Sequence, residues 1–153
     1  MKIVLVNPLI PQNTGSIGRL CAATRTELVL VEPLGFSLDD RYLKRAGLDY
    51  WPWVPLTVVP DWRTALPPES RPWLFTTRTE QSFYDVEYSP DDALVFGCET
   101  TGLPEALMDA FPKERRLRIP FENQNVRSLN LAQCAAVAYY EARRQLEHAA
   151  RPR

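Results

Sequence analysis

Histidine is almost missing from this chain of 153 residues: there is one, His148, far from any other candidate site residue in sequence. Chemistry that depends on a histidine base or a histidine-rich metal centre is therefore not expected. Cysteine is scarce too. Cys21, Cys98 and Cys134 are odd in number, far apart and without a Cys-x-x-Cys pair, so neither a disulfide scaffold nor a zinc site is supported, and no metal is expected. No apolar run approaches the ~18 residues of a membrane span, and Met1-Lys2 leads into only four apolar residues before Asn7-Pro8. The expected address is the cytoplasm, with no membrane partner. Two glycine patterns are also absent. Without Gly-x-x-x-x-Gly-Lys-Ser/Thr there is no phosphate-binding P-loop, and without Gly-x-Gly-x-x-Gly a nicotinamide oxidoreductase is a distant reading.

Lysine is the remaining scarcity. Of 18 basic residues three are Lys and fifteen are Arg, in a chain of net charge −1. The molecule is no polycation, so a nucleic acid would have to be held by a local patch. Arginine suits that task, because its planar fork matches phosphate better than an ammonium does.

What is present is an alternation of short apolar runs with amphipathic stretches. KIVLV (2–6), ELVLV (27–31), 56–59, 73–77, 93–96 and 116–119 read as strands. Residues 13–24, about 39–46, 61–66, 105–110 and about 128–147 read as helices. In the first helix Ile17, Leu20, Cys21 and Thr24 share one face, leaving Arg19 towards solvent or a cleft. This order predicts one domain over residues 1–153, of α/β class: a mostly parallel sheet flanked by helices. Ligands of such sheets bind beyond the carboxyl ends of the strands.

Three segments at strand ends are chemically unusual: NPLIPQNTGSIGR (7–19), FGCETTGLPE (96–105) and IPFENQNVRSLN (119–130). Each alone is explained by ordinary capping and turning. Gly97 and Gly102 permit tight turns or close approach to backbone, Asn13 and Ser16 sit at a helix start, and Ser128 reads as an N-cap with Asn130 in the first turn. Capping does not explain why strand, proline, polar loop and Arg-Ser-x-Asn all meet at one helix mouth.

Taken together, NPLIPQNTGSIGRLCAAT, LVFGCETTGLPE and IPFENQNVRSLNLAQCAAVAYYEARRQ resemble the three motifs of the SPOUT superfamily of S-adenosylmethionine-dependent RNA methyltransferases. VEPLGFSLDDRYLKRAGLDY (31–50) is similar to the small TrmL type, which methylates the ribose 2′-oxygen of the tRNA wobble nucleotide. The likeness runs from about Ile3 to Gln145. It implies a C-terminal deep trefoil knot, a homodimer, S-adenosylmethionine as cofactor and the tRNA anticodon loop as partner.

Residue by residue, the resemblance implies a cofactor pocket of Thr77, Gly97, Ile119, Ser128 and Leu129, with Gly97 letting the ligand lie against bare chain. It places Arg19, Glu99 and Asn130 as catalytic residues, and Asn13 beside the reacting ribose. RNA contacts are expected from Asn13, Arg19, Arg41, Lys44, Arg45 and Arg127, and a dimer partner covers Tyr139 and Tyr140. Arg19 is a poor base because it stays protonated, so a phosphate clamp or charge stabiliser is the expected role. The chain departs from relatives at Arg25-Thr26, where glycine and an aromatic are usual, at Cys98, where proline is usual, and in a longer 122–126 loop. Two alternatives stay open: another tRNA position or ribosomal RNA as target, and a non-catalytic RNA-binding protein.

Overall fold

The computed structural model describes residues 1–39, 43 and 50–150. Strands β1 (Lys2–Val6), β2 (Glu27–Val31), β3 (Leu56–Val59), β4 (Arg71–Phe75), β5 (Asp92–Phe96) and β6 (Arg116–Leu117) form one sheet in the order β3-β2-β1-β5-β4-β6. Every strand pairing is parallel. The α-helices named for the described residues are α1 (Pro11–Thr24), α2 (Trp62–Ala65), α3 (Glu105–Ala110) and α4 (Leu131–Ala149).

The central strands are apolar after their first residue because both sheet faces are covered. Side chains alternate between faces. Ile3, Leu5, Leu28, Leu30, Leu94 and Phe96 pack with Ile17 and Cys21 of α1 and with Ala135, Ala138 and Ala142 of α4. Val4, Val6, Val29, Val31 and Val95 pack on the opposite side with Ala65 of α2 and with Leu107 and Met108 of α3. Each fully buried Leu, Ile or Val contributes about 1.5–3 kcal/mol. The three alanines of α4 are fully buried, so that helix lies close against its neighbours.

Five local expectations shift. Helix α1 begins two residues earlier than read, at Pro11, since proline's missing N–H costs nothing at a first helical position. Strand β4 runs 71–75, not 73–77, because Arg71 and Pro72 join the ladder opposite Asp92 and Ala93. Only 116–117 of the sixth strand pair with β4; Arg118 turns away, donating its N–H to the Gln81 carbonyl (2.8 Å) and accepting from Phe83 N–H (3.0 Å). Helix α4 starts at Leu131, and its cap is Asn130, whose Oδ1 accepts from the N–H groups of Ala132 (2.9 Å) and Gln133 (3.3 Å). Ser128 is therefore not the cap. Tyr139 is buried in the core at 7% exposure, leaving Tyr140, at 54%, as the exposed member of the pair. The short basic helix expected near 39–46 lies outside the described residues.

Helix α1 ends at Arg25, whose φ of 55° and ψ of 34° are left-handed. That conformation is where helices commonly place glycine, the residue expected here from the resemblance. A β-carbon there costs about 1 kcal/mol or more. Arg25→Gly is expected to raise unfolding stability by about 0.5–1 kcal/mol in a urea titration, after allowing for glycine's greater unfolded-state freedom. A loss of stability would mean that the arginine side chain contributes more than its backbone strain costs.

Candidate active site

Beyond the carboxyl ends of β1, β5, β4 and β6 the loops enclose a cleft of about 480 Å³, within the ~300–1,000 Å³ usual for small-molecule sites. Its floor is apolar. Phe75 and Phe96 are register partners at the last positions of β4 and β5, and their rings stack 4.7 Å apart at 16°. Residues 76–78 follow β4, residues 97–103 follow β5, Ile119, Phe121 and 127–130 come from the β6–α4 connection, and Leu131 and Cys134 from the first turn of α4. Ile10 and Asn13, at the start of α1, complete the wall.

The 97–103 loop folds back on itself. Cys98 N–H donates to the Gly102 carbonyl (3.2 Å) and Gly102 N–H donates back to the Cys98 carbonyl (3.0 Å). Gly102 turns the chain at φ 72°. A β-carbon on Gly97 would lie 2.1 Å from Gly102 C and 2.2 Å from Leu103 N. Glycine is thus required at 97 for a reason other than the expected one: its own loop, not a ligand, fills the space above it. Cys98 supplies an N–H that the proline expected here from the resemblance would lack.

A hydrogen-bond relay joins the three unusual segments. The Glu99 carboxylate accepts from Leu9 N–H (2.8 Å), Ile10 N–H (3.0 Å) and Asn13 Nδ2 (3.3 Å). Asn13 Oδ1 in turn accepts from Asn130 Nδ2 (3.0 Å), while Asn130 Oδ1 caps α4. A carboxylate can only accept and a backbone N–H can only donate, so both amide orientations are fixed by the ends of the chain. The relay commits Glu99 to holding the β1–α1 turn.

Two charged features flank the mouth. Arg78 grips Glu105, at the start of α3, through two hydrogen bonds of 2.7 and 3.0 Å; Arg78's bonds and charge hold the Glu105 carboxyl below its usual range. The Cys98 thiol lies 3.3 and 3.1 Å from the Thr100 and Thr101 hydroxyls and accepts from Thr101 N–H (3.4 Å). Partial burial pushes its pKa up, but these bonds outweigh that and bring it down to about 7.

Of the residues singled out in the sequence, Thr77, Gly97, Ile119, Ser128 and Leu129 line this one cleft with Asn13, Glu99, Arg127 and Asn130. Arg19 stands apart from the lining, exposed on α1. Six residues beyond Asn13, it is about 9 Å further along the helix axis. Arg41, Lys44 and Arg45 lie outside the described residues. Sequence reasoning missed the Phe75–Phe96 floor, whose signal was an aromatic at the last position of two apolar strands. It also missed Arg78, a lining residue that pairs with Glu105.

A model of the SpoU rRNA Methylase family matches residues 1–140. The chain belongs to the SpoU methylase family. It is 48% identical to the tRNA (cytidine(34)-2′-O)-methyltransferase of Burkholderia pseudomallei, over 94% of each chain. It is 45% identical to the Escherichia coli protein of the same name, over 95% of this chain and 94% of that one. A solved structure described by the words "2-OH methylation of C/U34 on tRNA" superposes with a TM-score of 0.88 at 45% identity, covering 96% of both chains. The SpoU family and the all-parallel sheet bear out the resemblance drawn from the three loops.

The thiols of this SpoU chain are expected to differ in reactivity. Cys98 becomes thiolate above about pH 7, whereas burial pushes Cys134 up to about 11 and Cys21 to about 12. Iodoacetamide labelling followed by peptide mass spectrometry should modify Cys98 half-maximally near pH 7 and leave the other two largely unmodified at pH 8. Equal labelling of all three would contradict the hydrogen bonding assigned to the 98–101 turn.

Proposed function

We propose that this chain is an S-adenosylmethionine-dependent methyltransferase that modifies the ribose 2′-oxygen of the tRNA wobble nucleotide, cytidine or uridine 34. The observation that carries this reading is the convergence of all three motif loops on one cleft, in a chain that matches wobble-nucleotide methyltransferases over nearly its whole length.

The cleft's chemistry suits the cofactor. Phe75, Phe96, Ile119 and Leu129 offer apolar surface to a purine ring, and Glu99 is the one acid among the lining residues, apt for a positively charged sulfonium. The bound cofactor would supply a methyl group already activated by that sulfur. The protein's own task is then alignment and loss of the hydroxyl proton. Thr77, Gly97, Ser128, Ile119 and Leu129 hold the cofactor. Glu99 and Asn130 act through the relay, setting the β1–α1 turn against the mouth of α4 so that Asn13 faces the incoming ribose. Arg19, outside the cleft lining but exposed on the same helix, holds an RNA phosphate. Its guanidinium stays charged and serves as an anchor and not as a base. Arg127 at the cleft lip adds a second cationic contact.

The proposal extends to the rest of the molecule: a single domain acting in the cytoplasm on the tRNA anticodon loop. Helix α4 threads a trefoil knot; supporting this, Gln145 on α4 donates to the Val86 carbonyl (3.1 Å) and accepts from Tyr88 N–H (3.2 Å), under a segment that also pairs with Arg118. A homodimer covers Val137 and Tyr140, apolar side chains exposed three residues apart on α4. Ribosomal RNA is the second reading, favoured by the family's own description.

Incubation with methyl-labelled S-adenosylmethionine and total tRNA, then nucleoside mass spectrometry, is expected to place label on the 2′-oxygen of nucleotide 34. Label confined to ribosomal RNA would move the substrate. Arg19→Ala should lower transfer by about 100-fold while cofactor affinity, read by calorimetry, stays within a few-fold; undiminished transfer would remove its role.

A further inference from the structure

Arg19 is exposed, yet it is not loose. Its guanidinium lies 5.6 Å from the centre of the Tyr50 ring, within the ~6 Å range of a cation–π contact. Tyr50 is itself held: its hydroxyl donates to the Gly15 carbonyl at 2.7 Å, one helical turn before Arg19 on α1. The next residue, Trp51, lies so close to α1 that a β-carbon on Gly18 would come within 2.8 Å of its ring. Gly18 therefore admits the tryptophan, and the turn that begins at Tyr50 is fastened to the helix at two points in the turn that precedes the arginine, Gly15 and Gly18.

We infer that Tyr50 is a positioning residue for RNA capture, holding the Arg19 side chain extended over its ring so that the fork meets the phosphate without first being ordered. This inference rests on the reading of Arg19 as the phosphate contact. A free arginine loses rotamer freedom when it binds; one already resting on a ring loses less. The hydroxyl is occupied with the Gly15 carbonyl, so Tyr50 contributes its ring and not a proton. Burial raises the Tyr50 pKa and the Arg19 charge pulls it back only in part, which keeps the phenol neutral.

The test is a double-mutant cycle read as affinity for bulk tRNA, with thermal stability and S-adenosylhomocysteine affinity as controls. Tyr50→Leu is expected to weaken tRNA binding about three- to ten-fold without changing cofactor affinity. Tyr50→Phe, which keeps the ring, should stay within about two-fold, and Tyr50→Trp should also retain binding, so the proposal survives if the leucine variant folds poorly. With Arg19→Ala already in place, Tyr50→Leu should add less than about two-fold, because the residue it supports is gone. Equal loss with and without Arg19 would overturn the proposal, since Tyr50 would then act through the fold or through its own contact. So would a harmless Tyr50→Leu beside a damaging Arg19→Ala. A separate outcome tests the underlying reading: Arg19→Ala should reduce the slope of log affinity against log salt by about 0.7–0.9, and an unchanged slope would remove Arg19 from the phosphate altogether.

Discussion

The hydrogen-bond relay from Glu99 through Asn13 to Asn130 is the constraint on which the site depends. It spans sequence separations of 86 and 117 residues, joining the turn after β1, the loop after β5 and the first turn of α4. The sheet alone would bring these segments to the same edge without fixing how they face one another. Because the relay ends on a carboxylate at one side and on helix N–H groups at the other, each amide has one usable orientation. Breaking it also leaves a partly buried polar group unpaired, which costs more than the bond itself contributes.

Around that relay the remaining features have assigned tasks. Gly97 and Gly102 let the β5 loop double back and carry Glu99 to its partners. The buried alanines of α4 let the helix approach closely enough for Asn130 to reach Asn13 while capping its own helix. The aromatic pair ending β4 and β5 gives the cleft an apolar floor, and Arg78 in its wall is held by Glu105. On the far side of α1, Tyr50 and Trp51 fasten a turn to the same helix, so the segment that presents Asn13 to the cleft also presents Arg19 to solvent.

Much of this was legible in the chain. Strands β1, β2 and β3 fall where KIVLV, ELVLV and 56–59 place them; in β1 and β2 burial on both faces leaves an uninterrupted apolar run of four residues. All five expected cofactor residues line one cleft. What sequence could not supply was pairing at long range. Asn130 reads as a first-turn residue until its side chain is seen on the Ala132 and Gln133 N–H groups, and Gly97 reads as room for a ligand until Gly102 is found above it. Tyr139 and Tyr140, adjacent and identical, differ completely in burial, since adjacent helix positions point about 100° apart. Arg25, a departure from the family by sequence, becomes intelligible only from its left-handed backbone.

The measurement that tests the central claim most directly is calorimetric titration of Asn130→Asp with S-adenosylhomocysteine. Aspartate caps a helix as well as asparagine does but has no N–H to donate to Asn13, so the substitution removes one relay bond and leaves α4 capped. The account predicts a protein that still folds, with thermal stability lowered by the one unpaired amide and cofactor affinity reduced about ten-fold, the size of one lost hydrogen bond beside a new charge. Affinity equal to that of the unsubstituted protein would mean that the cleft holds its shape without the relay, and would contradict the account.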